Sequence, residues 1–112
     1  MSSFSDKGLL GELEQLVLLA VMHQGDGAYT VSISDEIEAR TGIALARGSV
    51  YVALQRLDRK GYLKSRMAGP TPERGGKAKR CFSLTAPGAK ALRAAEQTLE
   101  RMRAVRPARA KS

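Results

Sequence analysis

The sequence is short of the residues that perform chemistry. Its 112 residues include one cysteine, Cys81, one histidine, His23, and no tryptophan. A single cysteine excludes an intramolecular disulfide and a cysteine-built zinc site. His23 has no second His, Cys or Asp at ligand spacing, so it reads as a surface or helix-end residue rather than a metal ligand. Without an indole, no ligand site can stack a flat aromatic on tryptophan. Ser, His and Asp occur in no arrangement that suggests a triad. The glycines from Gly69 to Gly76 have the wrong neighbours for a phosphate-binding loop. No catalytic set is left, so neither enzyme activity nor a cofactor or metal is expected. The longest apolar run, Leu16 to Met22, is too short to span a bilayer. It follows Glu12 and Glu14 rather than a basic stretch, so it is not a secretory signal, and a cytoplasmic protein is expected. Cys81 alternates with Phe82 and is either a packed thiol or a half-exposed strand residue.

Acids are scarce too. Nineteen Lys and Arg face eleven Asp and Glu, a formal net charge of +8 and a pI near 10.2. The charges are segregated: residues 1–45 carry two cations against seven acids, residues 46–112 seventeen against four. Ordinary solubility charge would be mixed. An acidic part joined to a strongly basic part points to a polyanionic partner. A chain of this length is expected to fold as one domain, and a second copy would help it bury surface.

The hydropathy pattern predicts mostly helices with one small hairpin. A first helix is expected from Leu9 to Gln24, ended by Gly25-Asp26-Gly27. It is apolar on so much of its circumference that it needs cover on more than one side. Thr30 is the expected N-cap of a second helix, Val31 to Thr41, with Ile33 and Ile37 inward and Gly42 as its stop. A third helix runs from Arg47 to Lys60. Leu63, Ser65 and Met67 then alternate with Lys64 and Arg66 as a half-buried strand. Residues 69–79 hold two prolines and Gly75-Gly76 and form the hairpin tip. Phe82 and Leu84 face inward on the return strand. Thr85 caps a last helix that Pro107 stops. The boundaries follow: a loose N-terminus over 1–8, a helix-turn-helix with a hairpin wing over 9–85, a C-terminal helix over 86–106, and an unstructured tail over 107–112.

At about 100° per residue, Val50, Leu54 and Leu57 cluster on one side of the third helix and must face the core. The opposite side carries Ser49, Val52, Arg56 and Arg59 in one stripe, flanked by Tyr51 and Gln55. Arg can donate bidentately to guanine, Gln to adenine, and an apolar side chain can meet the thymine methyl. Ser49, Val52 and Arg56 are therefore expected near base edges, and Arg47 and Arg59 at phosphates. Gly48 would let the backbone come close to the duplex. Tyr51 either aims its hydroxyl at a phosphate or is a partly buried core residue. Arg56 and Arg59 could also be plain solvated positions paired with Asp58.

The wing weighs against that plainer alternative. Arg74, Lys77, Lys79 and Arg80 lie in or beside the hairpin loop, and Lys64 and Arg66 point outward from its first strand. An edge hairpin uses one or two lysines to block strand pairing. Six cations repel one another unless a polyanion lies between them, and such a tip can follow the phosphate backbone or enter the minor groove.

In the last helix, Leu92, Ala95, Leu99 and Met102 follow the 3-4-3 spacing of a short coiled-coil seam. The seam could pack on its own domain. Leu9, Leu13 and Leu16 supply a second surplus apolar face, and two such faces fit an isologous dimer. Two reading helices would then meet half-sites of a pseudo-palindromic operator about one helical turn apart.

Taken together, LGELEQLVLLAVM, AYTVSISDEIEARTG, GSVYVALQRLDRKGYL and PTPERGGKAKRCFSLTAPGAKAL resemble the PadR family of bacterial transcriptional regulators over about residues 9–103. The resemblance rests on Gly48 and Tyr51, Arg56-Leu57, the PTPERGG wing and the LT-x-x-G start of the last helix, in that order. It implies a winged helix-turn-helix dimer that represses transcription, its last helix packed on the partner's first helix. It places Ser49, Tyr51 and Arg56 where the family's reading helix meets DNA, and Lys77 and Lys79 in its wing. The chain resembles the short members, which lack a separate effector domain. Any small hydrophobic effector at the dimer interface would lie among Leu, Val, Met and Ala. Two other functions fit the same residues: an adaptor whose acidic first two helices hold a partner protein, and an architectural binder without sequence preference.

Overall fold

A computed structural model describes residues 9–69 and 79–105. The order is α1 (Glu12–Gln24), a 3-10 turn (Gly25–Gly27), α2 (Thr30–Thr41), α3 (Arg47–Arg59), β1 (Leu63–Ala68), β2 (Lys79–Leu84) and α4 (Ala86–Arg103). Three helices thus precede an antiparallel hairpin, and one follows it. This is the mostly helical, winged helix-turn-helix architecture expected from the sequence.

Two helix starts differ from expectation, each for a local reason. The first helix begins at Glu12, three residues later than predicted. Gly11 is its extended N-cap, and the Gly11 N–H donates to Glu14 Oε1 at 3.1 Å. The Leu10 carbonyl accepts from Gln15 Nε2 at 3.0 Å, which leaves Leu9 and Leu10 outside the helix. Thr30 is the first helical residue of α2 and not its cap; Tyr29 holds that place, with its N–H donating to Ser32 Oγ at 3.0 Å. The stops of the second and third helices agree with the pattern, whereas the last helix ends at Arg103, ahead of Pro107. Gly42 ends α2 in the left-handed region at φ 79°, and Gly61, at φ 83°, follows α3.

The core gathers one face of each helix around β2. Val17, Leu18, Val21, Ile33, Val50, Leu54, Leu57, Leu63 and Phe82 are fully buried. Each such side chain contributes about 1.5–3 kcal/mol by leaving water. Phe82 sits at the centre. Its N–H donates to the Ala28 carbonyl at 2.7 Å, so Ala28 bridges to β2 on the side away from β1. The bridge ties the hairpin base to the segment just before α2.

The strand register pairs Leu63 with Leu84, Ser65 with Phe82, and Met67 with Arg80. Side chains opposite one another share a face, so these six residues form the face toward α3. Burial on it fades toward the tip: Leu63 and Phe82 are buried, Ser65 is half-buried, and Met67, expected to be half-buried, is exposed. The other face carries Lys64, Arg66, Cys81 and Lys79. Cys81 is buried, which makes it a packed thiol.

The last helix is anchored at its start. The Thr85 hydroxyl accepts from the Gly88 N–H at 3.0 Å and donates to the Gly61 carbonyl at 2.7 Å. Leu92 and Ala95, expected in a seam between two chains, are 4% and 5% exposed within this one. They pack in the core of their own domain, where α4 lies against α1. This corrects half of the predicted seam.

Among the described residues one carboxylate is buried on α1. Glu14, 8% exposed, accepts the Gly11 N–H with one oxygen and faces Lys60 Nζ at 3.3 Å with the other. A buried charge needs such partners. These tie the entry of α1 to the exit of α3.

Candidate nucleic-acid interface

The third helix presents its outer face to solvent. Arg47, Ser49, Val52, Gln55, Arg56 and Arg59 are exposed, while Val50, Ala53, Leu54 and Leu57 are buried. Val52 is 50% exposed, although an aliphatic side chain on a plain solvated face gains nothing there. Tyr51 is 39% exposed, and its hydroxyl accepts from Gln55 Nε2 at 3.2 Å. The side chain therefore lies along the helix surface beside Gln55 rather than in the core.

Asp58 is the sole acid on α3, but it pairs with neither Arg56 nor Arg59. Its Oδ2 accepts from the Ser65 hydroxyl at 3.0 Å. The two ion pairs among the described residues are Arg40 with Glu36 at 2.8 Å and Lys60 with Glu14 at 3.3 Å. Neither involves a cation of the stripe.

The hairpin cations divide between its two faces. Lys64 and Arg66 are exposed on the face away from α3. Lys79, expected as a DNA-contacting cation of the wing, lies over the Tyr29 ring, its ammonium 3.8 Å from the centroid. A cation over an aromatic face is attracted by the ring quadrupole, so Lys79 helps seat the hairpin. Arg80 stands on the face toward α3, where Nη1 donates to Ser65 Oγ at 3.0 Å. Arg74 and Lys77 lie outside the described residues. Between helix and hairpin runs a cleft of about 340 Å³ lined by Gln55, Asp58, Arg59, Arg80 and Phe82. A second cleft of about 370 Å³, beside the start of α3, is lined by Leu13, Gly48, Ser49, Val52, Ala53 and Arg56. Arg59 of the helix and Arg80 of the hairpin thus share the first cleft, while Lys64 and Arg66 lie on the far face of the hairpin.

Asp58 and Ser65, which join helix and hairpin here, do not stand among the residues expected at the interface. Parity could have found Ser65 and redirected Arg80. Strand alternation puts Ser65 on the side of Leu63, and Arg80 on the side of Phe82 and Leu84.

The acidic part is organised separately. Gln24 Nε2 donates to Glu36 Oε1 at 2.6 Å and to the Ser32 carbonyl at 3.0 Å, while the Ser32 hydroxyl donates to Gln24 Oε1 at 2.7 Å. The Glu36 carboxyl is held below its usual pKa, mainly by the Gln24 hydrogen bond and further by Arg40; burial opposes the shift. Of the apolar residues expected at a dimer interface, Leu9, Leu99 and Met102 are exposed, and Leu13 and Leu16 are half-buried. A cavity of about 170 Å³ between α1 and α2 is lined in part by Leu16, Leu19, Ile37 and His23. Among the described residues no group of His, Cys, Asp or Glu could hold a metal ion, and no helix is long and apolar enough to cross a membrane.

An α-helical domain with a two-stranded wing beside an exposed, cation-lined helix defines the winged helix-turn-helix class. A profile of the transcriptional regulator PadR-like family matches residues 18–94, and the chain belongs to that family. Solved structures agree in fold. A PadR family transcription regulator from Clostridium difficile R20291 is 24% identical, with a TM-score of 0.69 over 83% of this chain and 92% of that one. A PadR family regulator from Eggerthella lenta is 22% identical, with a TM-score of 0.68 over 89% and 80%. Bacillus subtilis PadR, solved in complex with operator DNA, is 18% identical, with a TM-score of 0.62 over 72% of this chain and 45% of that one. No curated protein matches the sequence.

Proposed function

We propose that the protein is a homodimeric, cytoplasmic, sequence-specific repressor that grips double-stranded DNA with α3 and the wing. The observation that carries this reading is the unpaired stripe. Ser49, Val52, Arg56 and Arg59 stand exposed, and the one acid on their helix is engaged elsewhere. Leaving two arginines bare on a helix that also exposes a valine gives the folded monomer nothing. A duplex offers all of them partners. Arg56 and Val52 would read base edges with Ser49, and Arg47, Arg59, Lys64 and Arg66 would meet phosphates. Tyr51 and Gln55, already hydrogen-bonded, would enter the groove as a pair. A Cβ on Gly48 would meet nothing within 4 Å, so packing inside the chain does not require a glycine there, whereas close approach to a duplex would. Bacillus subtilis PadR was solved with operator DNA, which supports a DNA partner for the shared fold.

The dimer reading rests on the exposed Leu9, Leu99 and Met102, with Leu13 and Leu16 half-covered beside them. A two-fold pair would set two α3 helices about one turn of DNA apart on a pseudo-palindrome. A small hydrophobic effector at that interface would meet only aliphatic walls. The test is binding to duplexes from the gene's own upstream region beside random duplexes of equal length. The repressor reading requires preferential binding and reduced transcription from the bound promoter. Equal affinity for both would leave an architectural binder, and no affinity for either would leave the adaptor.

A further inference from the structure

The wing is a hairpin with few ties. Two strands alone are marginally stable in water, and among the described residues only the Ala28 bridge extends the sheet. The base is held by the core and by backbone bonds, and toward the tip the angle to α3 is set by side chains. Two contacts do so from opposite faces. Lys79 rests on Tyr29, the N-cap of α2. On the other side a three-residue chain of hydrogen bonds crosses from α3 through β1 to β2. The Ser65 hydroxyl donates to Asp58 Oδ2 at 3.0 Å and accepts from Arg80 Nη1 at 3.0 Å.

We propose that Asp58 and Ser65 are positioning residues that lock the wing and Arg80 to α3, so that helix and wing engage one duplex as a rigid unit. The proposal rests on the DNA-binding reading above. The polarity of the chain is fixed by its chemistry. Carboxylate accepts, guanidinium donates, and the hydroxyl between them does both. Both bonds involve an ionised group, the stronger kind of hydrogen bond. Ser65 takes one of the five N–H donors of Arg80, and that side chain still lines the cleft with Arg59 and Gln55. Arg80 is thereby held where a backbone phosphate would pass between helix and wing. Asp58 serves this joint instead of neutralising Arg56 or Arg59. Its single negative charge fixes one cation and leaves the reading stripe bare.

The test uses Ser65→Ala, Asp58→Ala, Asp58→Asn and Arg80→Ala in the full chain. Binding is measured to a duplex from the gene's own upstream region and to a random duplex, across a salt series. Ser65→Ala and Asp58→Ala should weaken the preferred duplex by about three- to tenfold, a fraction of what one charge-assisted hydrogen bond is worth, because the loss reaches DNA only through the angle of the wing. Their salt dependence with the preferred duplex should not flatten, because no cation is removed. Arg80→Ala should weaken binding and flatten the log–log salt slope by about 0.9. Asp58→Asn keeps an oxygen that accepts from Ser65 and should keep the preferred-to-random ratio. Amide exchange, read without DNA, should speed up at Arg66 and Cys81, which pair across the strands, in Ser65→Ala and Asp58→Ala while Leu57 stays protected. Wild-type affinity in folded Ser65→Ala and Asp58→Ala would overturn the proposal even if their melting temperatures fell. So would Asp58→Asn failing as Asp58→Ala does. If the wild type prefers neither duplex, the sequence-specific reading fails, and hairpin exchange alone decides: faster exchange upholds the joint, and unchanged exchange overturns it.

Discussion

Gly88, in the first turn of α4, lies against the backbone carbonyl of Tyr62: a β-carbon on Gly88 would sit 2.1 Å from that oxygen. The same oxygen accepts the Thr85 N–H at 3.2 Å, and the Thr85 hydroxyl reaches the Gly61 carbonyl at 2.7 Å. The junction from wing to last helix is therefore clamped onto the turn that ends α3. The obstacle to any side chain at Gly88 is backbone, which cannot swing aside.

Gly88→Ala should destabilise the fold by about 1–3 kcal/mol or more, the range for forcing atoms into a packed site. Helix propensity favours alanine by about 1 kcal/mol and would stabilise an unobstructed site. A thermal or urea midpoint at or above wild type would refute the close approach.

The arginines of α3 should separate by role. Arg56→Ala should lower affinity for a preferred duplex by about 1–3 kcal/mol and relax the choice of base at one position. Arg59→Ala should weaken all duplexes alike and reduce the log–log salt slope by about 0.9. Titrations of both variants on preferred and random duplexes, at several salt concentrations, check this. Equal losses from Arg56→Ala on both duplexes would make it another phosphate contact.

Acid should weaken the contact between α1 and α2. The native state holds the Glu36 carboxyl below its ordinary pKa through Gln24 and Arg40. A lowered native pKa stabilises the fold at pH above the unfolded value, and that stability is lost as pH falls through the native value. Glu36→Gln removes the titration. Urea midpoints from pH 7 down through the carboxylate range should therefore fall less steeply for Glu36→Gln than for wild type. Parallel curves would show that Glu36 gains nothing from its partners when folded. The Glu36 side chain is 17% exposed and that of Arg40 60%, so solvent screening keeps the effect modest.

Helical order, hairpin and the exposed stripe of α3 were legible because they rest on local periodicity. Val50, Leu54 and Leu57 could face only inward, and the stripe was whatever remained opposite. What was not legible depended on contacts across sequence. Nothing near Lys79 announces Tyr29, fifty residues earlier, and nothing near Leu92 says whether α1 of the same chain or of another will cover it. Asp58 looked like a partner for neighbouring arginines because helix spacing brings them close. Ser65 took it instead, once β1 had folded back beside the end of α3. The late start of α1 came from Gly11 and Glu14, a cap that uses a carboxylate three residues on and is easily read as one more helical turn.

The apolar residues of α4 should divide into two classes when mutated, and the division tests the dimer. Leu92 is buried within its own chain and Met102 is 81% exposed, with Leu99 between them at 44%. Leu92→Ala leaves a cavity in the core and should cost about 2–5 kcal/mol of stability at any protein concentration. Met102→Glu removes nothing from that core. If the exposed end of α4 meets a second copy, the charge would be trapped at an apolar contact, and the variant should sediment as a folded monomer. Because a dimer binds two half-sites at once, the monomer should lose affinity for the preferred duplex far beyond what one lost contact explains. An unfolding midpoint that rises with concentration in wild type but not in Met102→Glu would tie that loss to assembly. Met102→Glu sedimenting as wild type does would place the interface elsewhere and leave Leu9 and Leu99 as simple surface residues.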